Sequence, residues 1–293
     1  MLRSSPKPAR LGRALNGCLA LVILLLPGSN LSAQERRWTV AKGVPILIYH
    51  EIAADEKEPG ETTISLSRFK EQMQLLADEG YTTLSIRELI QFMRGERAVR
   101  PRSVVLTFDD GWRSVLQAVP VLNQHRFKAS FWIIAGPKGI GGEYLDWPQI
   151  AALAQDANFE IGSHTLSHPW DPKDNLVTWV EGRGSERGVS DAFLELQESR
   201  EILEARLGRP VRYLAWPCGW YNDTLIRLAQ EAGYEALLTV EPGVNVPGAD
   251  LLRIRRNFID GACDMTVFKQ VLQWPHYHVC QTRRLPSRGI LTR

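Results

Sequence analysis

The segment Leu106-Thr107-Phe108-Asp109-Asp110-Gly111-Trp112 ends a β-rich run with two adjacent carboxylates. It gives the strongest indication of both the fold and the chemistry of this chain. Farther along, a second apolar run leads into Gly162-Ser163-His164-Thr165-Leu166-Ser167-His168-Pro169. Carboxylates and imidazoles at the ends of separate strands are the ligands that hydrolytic metal sites use. The two loops together therefore predict a metal-dependent hydrolase.

Segments with strand character alternate with amphipathic helical segments from residue 44 onward. The predicted strands are 44–49, 81–84, 103–108, 129–134, 159–161, 213–216, 235–240 and 252–257. Helices are predicted at 67–79, 85–95, 113–125, from 146, and at 190–207, 223–232 and 264–273. This alternation favours parallel strands with helical crossovers, and the length suits an α/β fold of the (β/α) barrel kind. Residues 185–188, within the polar stretch 171–189, are expected to be a surface excursion.

The first 33 residues have the layout of a secretory signal peptide, with a basic start, a short apolar centre at 19–26 and small residues before Gln34. An uncleaved membrane anchor is the alternative. We expect residues 34–275 to form one catalytic domain and residues 276–293 to form a C-terminal tail. The protein is then exported, to the periplasm or the cell exterior, with no stable membrane span after cleavage.

The charge balance argues against a nucleic-acid partner. Four of the 35 basic residues lie in the leader, so that 31 basic and 33 acidic residues remain after it, without a basic stripe. Three cysteines also remain, and at most one internal disulfide can form among them. A bond between Cys263 and Cys280 is one guess, which the sequence does not settle.

The carboxylate pair has two interpretations. Asp-Asp-Gly can be a polar turn after a strand, but barrel active sites gather at the carboxyl ends of strands. Successive side chains there point in different directions, so Asp110 can bind a cation while Asp109 faces the water on that cation. With His164 and His168, Asp110 would complete a three-ligand site that leaves a position for water. Pro169 argues against a helical zinc-protease pattern through the two histidines.

Thr107-Phe108-Asp109-Asp110-Gly111, followed by Ser163-His164-Thr165-Leu166-Ser167-His168-Pro169, resembles the first two motifs of the polysaccharide deacetylases. These are the NodB-homology enzymes, or carbohydrate esterase family 4. The resemblance covers roughly residues 43–275. It implies a deformed (β/α)7–8 barrel and a metal-dependent hydrolase that removes acetyl groups from N-acetylated sugars. Carried over by position, Asp109 is the general base, and Asp110, His164 and His168 hold the metal. Zinc suits these ligands, although nickel, cobalt or iron could bind similarly.

The segment Ala215-Trp216-Pro217-Cys218-Gly219 falls where the family has a proline-aromatic-glycine groove motif. Cys218 stands where the family usually has tyrosine, whose backbone N–H serves the oxyanion, and cysteine can also supply that group. The family's base-steering arginine is replaced near Ala215. A substitute is sought among Arg253, Arg255 and Arg256, and the choice stays open.

Several groove residues are candidates for substrate binding: Trp216, Pro217, Cys218, Gly219 and Trp220. The two tryptophans could line a sugar groove. For Trp216, simple core packing is an equally good interpretation.

The family's C-terminal leucine-x-histidine motif has no good copy here. Instead, Pro45-Ile46-Leu47-Ile48-Tyr49-His50-Glu51 places a histidine at the end of the first strand. This resembles the permuted branch of the family that deacetylates poly-β-1,6-N-acetylglucosamine during biofilm export. The resemblance makes His50 the general-acid candidate; a structural histidine is the alternative.

The expected reaction is hydrolysis of N-acetyl groups on an acetylated polysaccharide, with exopolysaccharide export machinery as a candidate partner. An O-acetyl esterase, a non-sugar amidase or a deacetylase of peptidoglycan or chitooligosaccharides would use the same metal triad. A glycan-binding protein that has lost catalysis is a rival from another class.

Overall fold

The computed structural model describes residues 41–55, 60–183, 186–259 and 261–273. These residues belong to one unit, Trp38–Arg293. The predicted leader 1–33 and the predicted tail 276–293, which includes Cys280, lie outside the described residues, so the leader, the tail and the Cys263–Cys280 bond stay predictions. Within the described residues, no helix has the length and apolar character needed to cross a membrane.

The described elements largely follow the predicted alternation. The strands are β1 Val44–Tyr49, β2 Glu51–Ala53, β3 Thr63–Ser65, β4 Thr82–Thr83, β5 Ser103–Phe108, β6 Ala129–Ile133, β7 Phe159–Ser163, β8 Tyr213–Ala215, β9 Ala236–Leu238, β10 Val244–Asn245 and β11 Asn257–Phe258. The α-helices are α1 Leu66–Asp78, α2 Ile86–Met93, α3 Ala118–His125, α4 Trp147–Gln155, α5 Leu176–Val180, α6 Val189–Leu207, α7 Asp223–Glu231 and α8 Met265–Gln273. Short 3₁₀ turns cover Arg113–Gln117, Pro137–Gly139 and Pro217–Gly219.

One curled, mostly parallel sheet carries the helices, in the order β10-β1-β5-β6-β7-β8-β9. Among the strands that the structure describes, β10 alone runs antiparallel to its neighbour. The segment that leads into β11 spans the two ends of the sheet, because Ile254 bridges to Leu238 of β9 and β11 pairs in parallel with β1. This curled half-barrel confirms the predicted deformed (β/α) fold.

Local sequence explains most element boundaries. β1 and β5 are buried along their whole length, as expected of parallel strands covered on both faces. Ser85 forms the predicted capping box with Glu88 at the start of α2. Asp146 caps α4, whose first turn tolerates Pro148. At the end of α6, Gly208 adopts the left-handed conformation that stops a helix.

Two predictions of secondary structure need correction. The helix predicted over 113–125 divides into a 3₁₀ turn and α3, because Pro120 lacks an N–H and is tolerated only in the first turn of a helix, where it lies in α3. The predicted strand 252–257 reduces to a bridge at Ile254 and the short β11. The polar stretch 171–189 also contains a helix that the sequence pattern did not indicate, α5, which Asn175 caps through its side-chain oxygen.

The contact between Gly162 and Trp132 fixes the spacing of two strands below the histidine loop. The two residues are register partners on β6 and β7, and Trp132 is fully buried. A Cβ atom added at Gly162 would lie 2.1 Å from Cζ3 of the indole. No side chain larger than hydrogen fits here without moving the ring.

We expect Gly162→Ala to lower the free energy of unfolding by about 1–3 kcal/mol, because overpacking a core forces strained rotamers or backbone shifts. Chemical denaturation of the purified variant measures the change. Gly60→Ala is the matched control, since an added Cβ there meets only Thr63 at an ordinary 3.6 Å. Equal denaturation midpoints for the two variants would contradict the tight contact with Trp132.

Candidate active site

The predicted site residues meet at the carboxyl edge of the sheet. Tyr49 of β1 and Phe108 of β5 are register partners in parallel strands, so the residues that follow them, His50 and Asp109, emerge side by side. β7 is two strands farther along and delivers His164 to the same edge. The parallel sheet thus gathers groups that are far apart in sequence.

Backbone strain is concentrated in the loops of this edge. Among the described residues, six that are not glycine have positive φ, and four of them belong to these loops: Asp110, Thr165, His168 and Cys218. Such conformations cost on the order of 1–3 kcal/mol each and persist only where surrounding contacts fix them. At Asp110, φ is 69° and Gly111 follows with 75°, so the chain turns sharply after Asp109.

Asp110, His164 and His168 form a cluster with the character of a metal site. One ligand atom from each lies within 4.8 Å of the others. Oδ1 of Asp110 is 3.2 Å from Nε2 of His164 and 3.5 Å from Nε2 of His168. This Oδ1 is buried and accepts no hydrogen bond from the described residues. An uncompensated buried carboxylate oxygen facing two imidazoles fits a divalent cation, which would neutralise its charge.

The orientation of His164 supports the same interpretation. Its Nδ1 lies 2.8 Å from the carbonyl oxygen of Ala215. Because a carbonyl oxygen can only accept a hydrogen bond, Nδ1 carries the proton and donates it. In that tautomer the lone pair is on Nε2, the atom that faces Asp110. The β8 strand end therefore fixes which nitrogen His164 presents to the cluster.

Side-chain hydrogen bonds hold the strained histidine loop. The Ser163 hydroxyl accepts from the backbone N–H of Thr165 at 3.1 Å, and the Thr165 hydroxyl accepts from that of His168, also at 3.1 Å. Buried Glu195 on α6 accepts from the hydroxyl of Ser167 at 3.0 Å and from its backbone N–H. Sequence reasoning missed Glu195, although an acidic residue on the apolar face of an amphipathic helix was a usable signal.

Arg256 is the arginine that contacts Asp109. Its Nη1 and Nη2 donate to the two carboxylate oxygens at 2.7 and 2.9 Å, and its Nε donates to the carbonyl of Thr239 at 2.8 Å. The other two candidates lie elsewhere: Arg253 pairs with Asp223 and Asp250, and Arg255 is exposed near Glu241. The open choice among the three arginines is thereby resolved by geometry.

The electrostatics keep both carboxylates ionised. Burial alone would raise the pKa of Asp109, but the charge of Arg256, with those of His164 and His50, holds that pKa below its usual value. For Asp110, burial also acts to raise the pKa, and the close contact with His164 and the charges of the neighbouring histidines lower it strongly. Both side chains are therefore carboxylates at neutral pH.

The pKa values of the two histidines of the cluster shift in opposite directions. Burial and the neighbouring charge of His164 lower the pKa of His168 to about 4, so its ring is neutral at physiological pH. Burial would also lower the pKa of His164, but the close contact with Asp110 and the charge of Asp109 raise it. A neutral His168 is ready to act as a ligand, whereas His164 must release any proton that it holds.

His50 lies near the cluster, with its ring 5.0 Å from that of Phe258 on β11. Its Nδ1 is buried and has no hydrogen-bond partner among the described residues. Burial lowers the pKa of His50, while the charges of Asp110 and Asp109 raise it. The end of the first strand thus brings an imidazole into the field of both carboxylates.

The predicted groove motif forms a tight turn that contains a free cysteine. Pro217, Cys218 and Gly219 form a 3₁₀ turn beside Ala215, and Cys218 is a free cysteine with a φ of 53°. Desolvation, together with the charges of Asp110 and Asp109, raises the pKa of its thiol to about 11. The thiol therefore stays protonated at neutral pH. A Cβ at Gly219 would lie 2.2 Å from Val240, so this turn requires glycine.

Of the two interpretations of Trp216, the structure supports core packing and not a place in the sugar groove. Its side chain is 0% exposed and stacks on Tyr221 with ring centroids 6.2 Å apart. A large apolar ring at the end of a buried strand contributes more free energy by packing than by meeting solvent. Trp220 is partly exposed and stays a candidate groove residue.

Comparison with known proteins adds independent information. Residues 96–237 match the family model described as polysaccharide deacetylase. The chain is 28% identical over 202 residues to the putative polysaccharide deacetylase YxkH of Bacillus subtilis, a match covering 68% of this chain and 65% of YxkH. It is 23% identical to the poly-β-1,6-N-acetyl-D-glucosamine N-deacetylase of Escherichia coli K12, with 72% of this chain and 35% of that protein covered. The chain thus spans less than two thirds of either relative.

A shorter relative matches over most of its length. The poly-β-1,6-N-acetyl-D-glucosamine N-deacetylase of Staphylococcus epidermidis is 23% identical, with 79% of this chain and 80% of that protein covered. Among solved structures, IcaB from Ammonifex degensii has a TM-score of 0.69 at 24% identity and covers 82% of this chain and 100% of its own. Streptococcus pyogenes deacetylase PplD in complex with acetate has a TM-score of 0.67 at 24% identity, with 78% and 98% covered. With the fold shared and the family model matched across β5 to β9, residues 96–237 of this chain form a polysaccharide deacetylase domain.

Proposed function

We propose that the enzyme hydrolyses N-acetyl groups of an N-acetylglucosamine polysaccharide, most readily poly-β-1,6-N-acetylglucosamine, with a divalent metal at Asp110, His164 and His168. The observation that carries this proposal is that two adjacent aspartates have different surroundings. Asp109 is held ionised by Arg256, and the adjacent Asp110 faces two imidazoles. A general base beside a metal-type cluster is the equipment of a hydrolase rather than of a binding protein.

The donor set supports zinc, with nickel, cobalt or iron as alternatives, because one carboxylate and two imidazoles suit each of these ions. A divalent cation bound there would polarise the acetyl carbonyl and lower the pKa of a bound water to about 7. The orphaned Oδ1 of Asp110 and the Nε2 atoms of His164 and His168 are the atoms that would hold it.

The chain's own groups account for the proton transfers. Asp109 takes a proton from the attacking water as the new C–O bond forms, and the two hydrogen bonds from Arg256 keep its carboxylate aimed and ionised. The backbone N–H of Cys218 donates to the developing oxyanion. His50 gives a proton to the departing sugar amine as the C–N bond breaks, and acetate is released.

Arg256 also weighs against the rival of an inactive glycan-binding protein. Loss of the family's upstream arginine at Ala215 would favour that rival if nothing replaced the missing charge. Arg256 reaches the same carboxylate from the segment that leads into β11, with 0% exposure and both Nη groups engaged. A buried guanidinium with this geometry supports a working base.

The choice of glycan rests on the relatives and on His50. Several relatives are named poly-β-1,6-N-acetyl-D-glucosamine N-deacetylase, and the sequence places His50 at the end of the first strand, as in that branch. With the predicted leader at 1–33, the enzyme would act outside the cytoplasm, alone or alongside exopolysaccharide export machinery.

A substrate panel tests the proposed function. We expect acetate release from β-1,6-linked N-acetylglucosamine oligomers to exceed that from chitooligosaccharides, peptidoglycan fragments and acetylated xylan, each assayed with zinc, nickel or cobalt. Release from xylan alone would make the protein an O-acetyl esterase. Glycan binding without acetate release at any metal would instead favour the inactive binding protein.

Replacing the base tests its role. We expect Asp109→Asn to lower kcat by about 10²–10⁴-fold, the range of a lost proton-transfer group, while bound metal measured by mass spectrometry is retained. The matched control is Asp78→Asn, a change at an exposed position at the end of α1. Full activity in Asp109→Asn would show that another group takes the proton.

Replacing the guanidinium tests the positioning of the base. We expect Arg256→Lys to lower kcat at least about tenfold with little change in metal content, because a single ammonium cannot reproduce the fork on both oxygens of Asp109. Arg255→Lys, one residue away on the exposed side, is the matched control. Unchanged kcat in Arg256→Lys would mean that the two-point contact is dispensable.

A further inference from the structure

The two oxygens of Asp110 have different surroundings. Oδ1 faces the Nε2 atoms of His164 and His168 and accepts no hydrogen bond from the described residues. Oδ2 accepts a hydrogen bond from the indole N–H of Trp112 at 3.0 Å. Trp112 lies two residues along the same turn and has no part in the reaction as proposed above.

A separate loop fixes the indole of Trp112. Trp112 and Tyr144 form an antiparallel bridge, flanked by backbone hydrogen bonds from Arg113 to Glu143 and from Leu145 to Gly111, both 2.8 Å. The two aromatic rings pack with centroids 4.8 Å apart and an interplanar angle of 32°. The loop before α4 therefore determines where the N–H points.

We propose that Trp112 is a positioning residue for the metal. Its N–H occupies Oδ2 of Asp110 and so leaves Oδ1 as the single oxygen offered to the cation, while Tyr144 holds the indole in place. The terminal torsion of an aspartate is broad and nearly two-fold, so a carboxylate without this hydrogen bond turns easily and can offer both oxygens. Partners of this kind orient metal ligands, and their loss typically lowers metal affinity by about 10–100-fold.

Trp112 has two contacts that could matter, its packing against Tyr144 and its hydrogen bond to Asp110. A substitution by phenylalanine distinguishes between them. Trp112→Phe keeps an aromatic ring against Tyr144 and removes only the N–H donor to Asp110. The inference rests on the proposed metal site, so metal binding must be measured directly and not through activity.

The experiment titrates zinc against a chromophoric chelator in the full chain. We expect Trp112→Phe to raise the Kd for zinc by about 10–100-fold. Two further variants calibrate the measurement. His168→Ala, which removes a proposed ligand, should lose more affinity, and Trp147→Phe, a change in a ring that contacts Arg206 on another helix, should lose none.

A spectroscopic measurement distinguishes altered coordination from general weakening. With cobalt in place of zinc, we expect the visible absorption bands of Trp112→Phe to change in position or intensity, since Oδ2 of Asp110 becomes free to coordinate. Trp147→Phe should retain the wild-type spectrum. Circular dichroism checks that each variant is folded, and if Trp112→Phe does not fold, Tyr144→Ala, which leaves the N–H but removes its support, carries the test with the same expected direction.

The outcomes separate this inference from the proposed function. If wild type binds zinc and Trp112→Phe binds it equally well with an unchanged cobalt spectrum, Trp112 only packs and the inference is wrong. If wild type binds no divalent cation, the metal site itself is wrong and the inference is overturned with it.

Discussion

The buried ion pair between Asp109 and Arg256 joins the fold and the site in one interaction. Asp109 ends β5 in the middle of the sheet, and Arg256 lies in the segment that connects β9 to β1. Both side chains are almost fully buried. A charge so placed costs several kcal/mol unless a partner with good geometry compensates it, and here two hydrogen bonds do so. The segment that spans the two ends of the sheet therefore also holds Asp109, the proposed base, in place.

The strained loops depend on the rigidity beneath them. Thr165 and His168 adopt left-handed conformations, which are uncommon for residues other than glycine and most unfavourable for a β-branched side chain such as that of Thr165. Their loop follows a strand whose Gly162 lies directly against Trp132, and Glu195 on α6 holds Ser167 from the other side. Two fixed points, one in the sheet and one on a helix, leave the histidines little freedom. Ligands held in this way are oriented before any cation arrives, so less ordering remains to oppose its binding.

The ends of the strands could be predicted from the sequence because each strand is a local run of apolar residues. β1 and β5 were bounded correctly by their apolar runs, and the order of the loops in a parallel sheet brings Asp110, His164 and His168 to one edge. Choosing among Arg253, Arg255 and Arg256 was beyond local pattern. Only two residues of that region pair as β11, so no alternation indicates which guanidinium points inward. The contacts that Glu195 and Trp112 make could not be predicted from the sequence either, since each depends on the tertiary structure.

Asp109 and Asp110 show how adjacent, identical side chains acquire different roles. The left-handed turn at Asp110 separates their directions, and different partners then complete the distinction. A guanidinium holds both oxygens of the first carboxylate, whereas the second has one oxygen on an indole N–H and the other facing two imidazoles. The fixed charge of an arginine suits a base that must stay ionised between turnovers. Oδ1 of Asp110, by contrast, accepts no hydrogen bond from the described residues and faces two imidazoles, so a bound cation would stabilise it further.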